Sequence, residues 1–132
     1  MPDRSASEIG HAALRVAAHL PAAPDSAGAA RRLVSRACRD WNLRHLAPDA
    51  ELVVTELVEN AVRHAGTSCD LEIERTGEGL RITSRDGSTA PPRRMYPGHD
   101  RPGGRGLMLI EKLCRDWGFE TLADGKRVWA IL

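Results

Sequence analysis

Cysteine is scarce in this chain, and the three present cannot be matched by spacing. Cys38, Cys69 and Cys114 lie far apart, form no CxxC pair and fall on apolar positions. That pattern argues against a disulfide framework and for buried free thiols in a reducing cytosol. An excess of one charge is also missing. Nineteen basic and 18 acidic residues leave a net charge of +1, so no broad basic face for nucleic acid is implied. Of the basic residues 17 are arginine, which together with the many alanines reads as genomic base composition rather than function. No signal peptide opens the chain, and no apolar run approaches the roughly 20 residues needed to span a membrane. A soluble, cytoplasmic protein is expected. With 132 residues, one domain with a core of its own is expected, without staples.

Familiar phosphate-binding motifs are lacking too. There is no GxxxxGK[ST], and no GxGxxG follows a strand and opens a helix. No HRD or DFG set is present, and no His/Cys cluster has zinc spacing. A bound nucleotide would have to be held another way.

Residues 1–9 are polar and small and read as a frayed tail, leaving 10–132 as the domain. Alternation over 12–20 predicts a strand, at an edge, ended by Pro21. Pro24, Asp25 and Ser26 then open a helix whose Ala27, Ala30, Leu33, Val34, Ala37, Cys38 and Trp41 repeat at helical spacing. Its opposite face carries Arg31, Arg32, Ser35, Arg36 and Arg39. That stripe is either a solvated face or a docking surface for an acidic partner.

A second helix is predicted from Pro48 to Ala65, stopped by Gly66. It contains Glu56-Leu-Val-Glu-Asn60-Ala-Val-Arg-His64. Residues four apart lie one above the other on a helix, so a carboxylate, an amide and an imidazole would stack. Glu56 falls at the boundary of the apolar face, and Asn60 and His64 fall further into it. Buried polar groups cost roughly 1–3 kcal/mol each unless satisfied. Either a ligand or metal, or a private hydrogen-bond network, would satisfy them.

Two strands follow, with Leu71 and Ile73, then Leu80, Ile82 and Ser84, facing inward, and Gly77-Glu78-Gly79 as the turn. The same parity turns Asp86 inward. It reads either as an Asx-type turn acid or as an acceptor for a ligand's amino group. Residues 87–104 break every periodicity with four prolines and four glycines, as functional lids do. The segment ends at Gly103-Gly-Arg-Gly-Leu107, before an amphipathic helix with Leu107, Ile110, Cys114 and Trp117 on one side. Glycines at a helix N-terminus let backbone N–H groups approach an anion. Strands at Trp117–Leu122 and Arg127–Leu132, turning at Asp124-Gly125, complete the reading.

This order of E-x-x-x-N helix, strand ending in Asp, long lid and Gly-rich helix start resembles the GHKL (Bergerat-fold) ATPases. Within them the chain is similar to the small bacterial anti-sigma factor / serine-protein kinase family. The resemblance runs from about Leu20 to Leu132. It rests on Ala29-Ala-Arg-Arg-Leu-Val, on Asp49 to His64, on Gly104-Arg-Gly-Leu-Met-Leu-Ile110 and on Gly125-Lys-Arg-Val-Trp129. It implies an α+β fold, a two-layer sandwich of a mixed, mostly antiparallel sheet with helices on one face and a long ATP lid. It also implies ATP and Mg²⁺ as cofactors. Glu56 would be the general base, Asn60 the Mg²⁺ ligand, and Asp86 the acceptor for the adenine amino group. Gly104, Arg105, Gly106 and Leu107 would hold the phosphates, while His64 and Ser88 would line the pocket. Implied partners are a sigma factor and a STAS-type antagonist whose serine is phosphorylated, with no direct nucleic acid or membrane contact. A homodimer is a further implication, and Arg31, Arg32 and Arg36 are the candidate partner-binding residues.

The chain departs from the family pattern in two places. Ser88 stands at the second glycine of D-x-G-x-G, and Lys126-Arg127 stand where a threonine often helps hold adenine. Two functions therefore compete: an ATP-dependent serine kinase, favoured by Glu56 and Asn60, and a protein-binding module with weak or absent ATP turnover, favoured by Ser88 and Arg127. The catalytic fragment of a sensor histidine kinase ranks below both, because no helical hairpin carries a phospho-accepting histidine.

Overall fold

The computed structural model describes residues 14–92 and 106–132. The expected tail at 1–9 and the expected lid from residue 93 onward, with Gly104 and Arg105, lie outside the described residues.

The first strand, β1 (Arg15–Leu20), is an edge strand, as its alternation predicts. Helix α1 (Ser26–Asp40) follows, burying Ala27, Ala30, Val34, Ala37 and Cys38 at spacings of three, four, three and one. It stops because Asn42 takes a left-handed φ of 60°. The Leu43 N–H then reaches back to the Cys38 carbonyl at 2.7 Å, closing the carbonyl end of the helix. Arg31, Arg32, Arg36 and Arg39 stay exposed on the far face.

Helix α2 (Ala47–Glu59) starts with Pro48 in its first turn and buries Val53, Val54, Leu57 and Val58. From Asn60 to Ala65 the chain is wound as a π-helix, where sequence spacing predicts α-helix throughout. Gly66, at φ 72°, ends it, a conformation glycine adopts without a Cβ penalty.

Strands β2 (Cys69–Thr76) and β3 (Gly79–Asp86) form the expected hairpin. Helix α3 (Gly106–Leu113) leads to β4 (Asp116–Leu122) and β5 (Gly125–Ile131). Trp117 belongs to β4, paired with Ala130, and not to the apolar side of the preceding helix. The Arg115 N–H already bonds the Ile131 carbonyl at 2.7 Å, so the chain is extended before it reaches Trp117.

The sheet order is β1-β2-β3-β5-β4. All four pairings are antiparallel, so the mixed sheet expected from the resemblance is fully antiparallel among the described residues. β5 enters between β3 and β4 as the return of a hairpin. The connection from β3 to β4 therefore has to cross β5, and α3 lies on it, packed on α2 and β4.

The three helices cover one face of the sheet, with one core cluster between the layers. Leu71, Ile73, Leu80, Ile82, Val128 and Ala130 point into it from the strands, Val34, Val53, Val58 and Ile110 from the helices. Burying each large aliphatic side chain contributes roughly 1.5–3 kcal/mol. The open face carries charge in register. Acidic Asp70 and Glu74 on β2 lie opposite His19 and Arg15 on β1, and opposite Arg85 and Arg81 on β3. His19 Nδ1 and Asp70 Oδ1 are 2.7 Å apart. A hollow of about 470 Å³ on this face is lined by His19, Asp70 and Arg85 of these, together with Glu72 and Arg127. It lies across the sheet from Glu56 and Asn60.

All three cysteines are free, as expected. Burial pushes the Cys38 and Cys69 thiols up and the Cys114 thiol up to about 11, so each stays protonated and weakly nucleophilic near neutral pH.

Candidate functional site

Glu56 and Asn60 are one turn apart on α2, with the Asn60 N–H bonded to the Glu56 carbonyl. Both are half-buried. Asn60 therefore lies at the rim of the apolar face, not deep within it as its position on the helix suggests. Desolvation pushes the Glu56 carboxyl above its ordinary value; Glu59 adds to this and Arg63 opposes it. A carboxylate raised in this way is a better proton acceptor near working pH. The third member of the expected stack lies in the segment beyond Asn60, which is wound as a π-helix.

The Asn60 side chain offers a hard amide oxygen of the kind Mg²⁺ takes. Among the described residues no group of three or more His, Cys, Asp and Glu could hold a metal. A Mg²⁺ ion here would draw the rest of its shell from phosphate oxygens and water, which is its habit.

The strand end is built differently. Asp86 closes β3 on its inner face and is buried, as parity predicts. Its partner across the ladder is Lys126 of β5. Lys126 Nζ lies 2.9 Å from Asp86 Oδ2 and 3.1 Å from Oδ1, with side-chain exposures of 2% and 3% for lysine and aspartate. Oδ1 also accepts the Ser88 N–H at 2.9 Å. The turn-acid reading of Asp86 is thus present in the structure. Ser88 in turn accepts the Ala90 N–H on its Oγ at 3.2 Å, so it serves the turn. Thr67, just after Gly66, accepts the Gly87 N–H at 3.1 Å and donates to the Ser68 carbonyl, tying the end of α2 to the same turn. A Cβ on Gly125 would lie 1.9 Å from the Asp86 carbonyl oxygen, so only glycine lets β5 run this close to the site.

Of the expected phosphate holders, Gly106 and Leu107 open α3, while Gly104 and Arg105 lie outside the described residues. The helix that Gly106 and Leu107 open packs on α2, which carries Glu56. Arg31, Arg32 and Arg36 do not join them. They line a shallow hollow with Ser35, Arg39 and Glu51 on the outside of α1 and α2, where Arg31 donates to Thr55 at 3.1 Å.

Sequence reasoning noted Lys126 only as a departure from the family pattern and left Thr67 unassigned. Lys126 was within reach, because it alternates with inward Val128 and Ala130 just as Asp86 does with Ile82 and Ser84. Thr67 carries no such signal, since it sits in a loop.

The family model for the histidine kinase-like ATPase domain matches residues 20–132. The chain belongs to that family. The fold of this ATPase-family domain is also that of a solved structure, the RsbU and RsbW domains of Rv1364c from Mycobacterium tuberculosis. The TM-score is 0.69 at 18% identity, over 89% of this chain. This chain spans 31% of the length of that one, so the likeness carries the fold. No curated protein matches the chain.

ATP is the ligand the family implies. The helix end offers a half-buried carboxylate and an amide oxygen of the kind a Mg²⁺–phosphate group takes. At the strand end the Asp86 carboxylate is already bonded to the Lys126 amino group.

Proposed function

We propose that the domain is an ATP-binding regulator of the anti-sigma type, which phosphorylates a serine on a STAS-type antagonist and sequesters a sigma factor, acting in the cytoplasm and as a homodimer. The observation that supports this most directly is the half-buried Glu56, its carboxyl raised by desolvation, one turn from Asn60. Bound Mg-ATP would supply the γ-phosphoryl group, with ADP as the leaving group. Glu56 takes the proton of the attacking hydroxyl as its oxygen bonds to phosphorus. Asn60 offers its amide oxygen to the metal. Gly104, Arg105, Gly106 and Leu107 bring backbone N–H groups and one fixed positive charge to the phosphates. His64 and Ser88 complete the pocket wall. Phosphoryl transfer asks mainly for positioning and charge neutralisation, and these residues provide both.

A second reading, a protein-binding module with little ATP turnover, is favoured by the buried Asp86–Lys126 pair. Calorimetry with Mg-ATP separates the two, and absence of binding at millimolar nucleotide would remove the kinase reading. Where ATP binds, Glu56→Ala is expected to lower phosphate transfer by about 10²–10⁴-fold with nucleotide affinity kept. Mg²⁺-dependent binding that survives Asn60→Ala would contradict the metal role.

A further inference from the structure

We propose that Lys126 is an internal occupant of the base subsite: its ammonium holds the place on Asp86 that a purine 6-amino group would take, so that the wild-type protein binds nucleotide weakly and without reading that group. The inference rests on the ATP-binding reading above and adds to it a residue that sets affinity and base selectivity.

The chemistry of the acceptor comes first. Asp86 is an inward carboxylate at a strand end, suited to receiving an amino group. The amino group it receives belongs to the same chain, at 2.9 and 3.1 Å. With the Ser88 N–H also on Oδ1, three contacts already draw on a carboxylate that accepts about four. An incoming amino group would have to compete for what is left.

Space is taken as well. Lys126 is the largest of the fully buried side chains in the described structure. Its four-carbon stem fills the inner face of β5 beside the Asp86 turn.

The residue type is telling. The chain has 17 arginines and only two lysines, Lys112 and Lys126. An arginine would present a planar fork in fixed geometry, whereas lysine presents a compact primary amine on a flexible stem. Of the two, only the lysine imitates a base amino group. The backbone beside it is fixed, because Gly125 is pressed against the Asp86 carbonyl. A need for stability does not account for the pair, since buried ion pairs are often no better than apolar groups of the same volume.

The test compares Mg-ATP with the triphosphate of purine riboside, which lacks the 6-amino group, by calorimetry. The wild-type protein is expected to bind both weakly and within about threefold of each other, because Asp86 is engaged. Lys126→Thr is expected to bind Mg-ATP at least about tenfold more tightly and to prefer it over the analogue by about tenfold, as a hydrogen bond to a freed carboxylate would give. A wild-type preference for ATP of about tenfold overturns the inference, since Asp86 would then already be reading the base. A folded Lys126→Thr that binds ATP no more tightly, or more weakly, also overturns it. Should that variant not fold, the wild-type comparison decides alone. If neither folded protein binds either nucleotide, the ATP-binding reading itself has failed and this inference goes with it, an outcome distinct from binding without the expected selectivity.

Discussion

At the helix end of the site, Glu56 and Asn60 stay half-exposed, and desolvation works against the Glu56 charge. At the strand end, Asp86 and Lys126 are withdrawn from water almost completely and bonded to each other. Both ends carry a carboxylate that sequence reasoning assigns to the same ligand, yet one is left reactive and the other is matched inside the protein. The difference comes from what lies opposite. A helix rim faces solvent, so its polar groups stay only half-withdrawn from water. A strand in the middle of a sheet faces the neighbouring strand, and register decides which side chain it meets.

The largest effect that can break this comparison is the loss of Lys126. Lys126→Met leaves Asp86 buried without its counter-charge and is expected to cost about 3–5 kcal/mol. That corresponds to a fall in melting temperature on the order of 10–20 °C. Replacing both partners, as Asp86→Leu with Lys126→Met, should recover most of it. If the single variant melts like wild type, the strand end is not the closed, interdependent pair described.

A smaller effect of opposite sign is expected at the helix end. The Glu56 carboxyl is raised in the folded state, so the folded protein holds this proton more tightly than the unfolded chain does. Stability from this group is therefore lost as pH rises from the ordinary carboxylate range through the raised folded value. Glu56→Gln should stabilise the protein at neutral pH, by less than about 1 kcal/mol. The gain should vanish below the ordinary carboxylate range. Thermal melts of both proteins across that range check the sign; a destabilised Glu56→Gln at neutral pH would show that the carboxylate is held by bonds that outweigh its desolvation.

The smallest effect lies away from both ends. Charge reversal at Arg32 and Arg36 is expected to shift stability by no more than about 0.5 kcal/mol each and to leave nucleotide affinity unchanged. A measurable change in nucleotide affinity would tie this exposed stripe to the site.

Much of this was legible in residue order. Alternation turned Leu80, Ile82, Ser84 and Asp86 inward, and they are buried. Helical spacing chose the buried sides of α1 and α2, and Gly66 marked where the winding beyond α2 stops. The π-winding from Asn60 was not legible, because its residues are compatible with an ordinary α-helix. Trp117 was misplaced for a related reason: an apolar residue at helical spacing satisfies a helix pattern even where a neighbouring strand has already claimed the backbone.

Local pattern by itself determined the type of the five strands and of α1, α2 and α3, the inward parity of Asp86 and the one-turn separation of Glu56 and Asn60, because these depend on residues a few positions apart. The meeting of Asp86 with Lys126 joins residues 40 positions apart through a strand that enters between β3 and β4. Only tertiary structure could decide it, since no periodicity within either strand fixes the register between them.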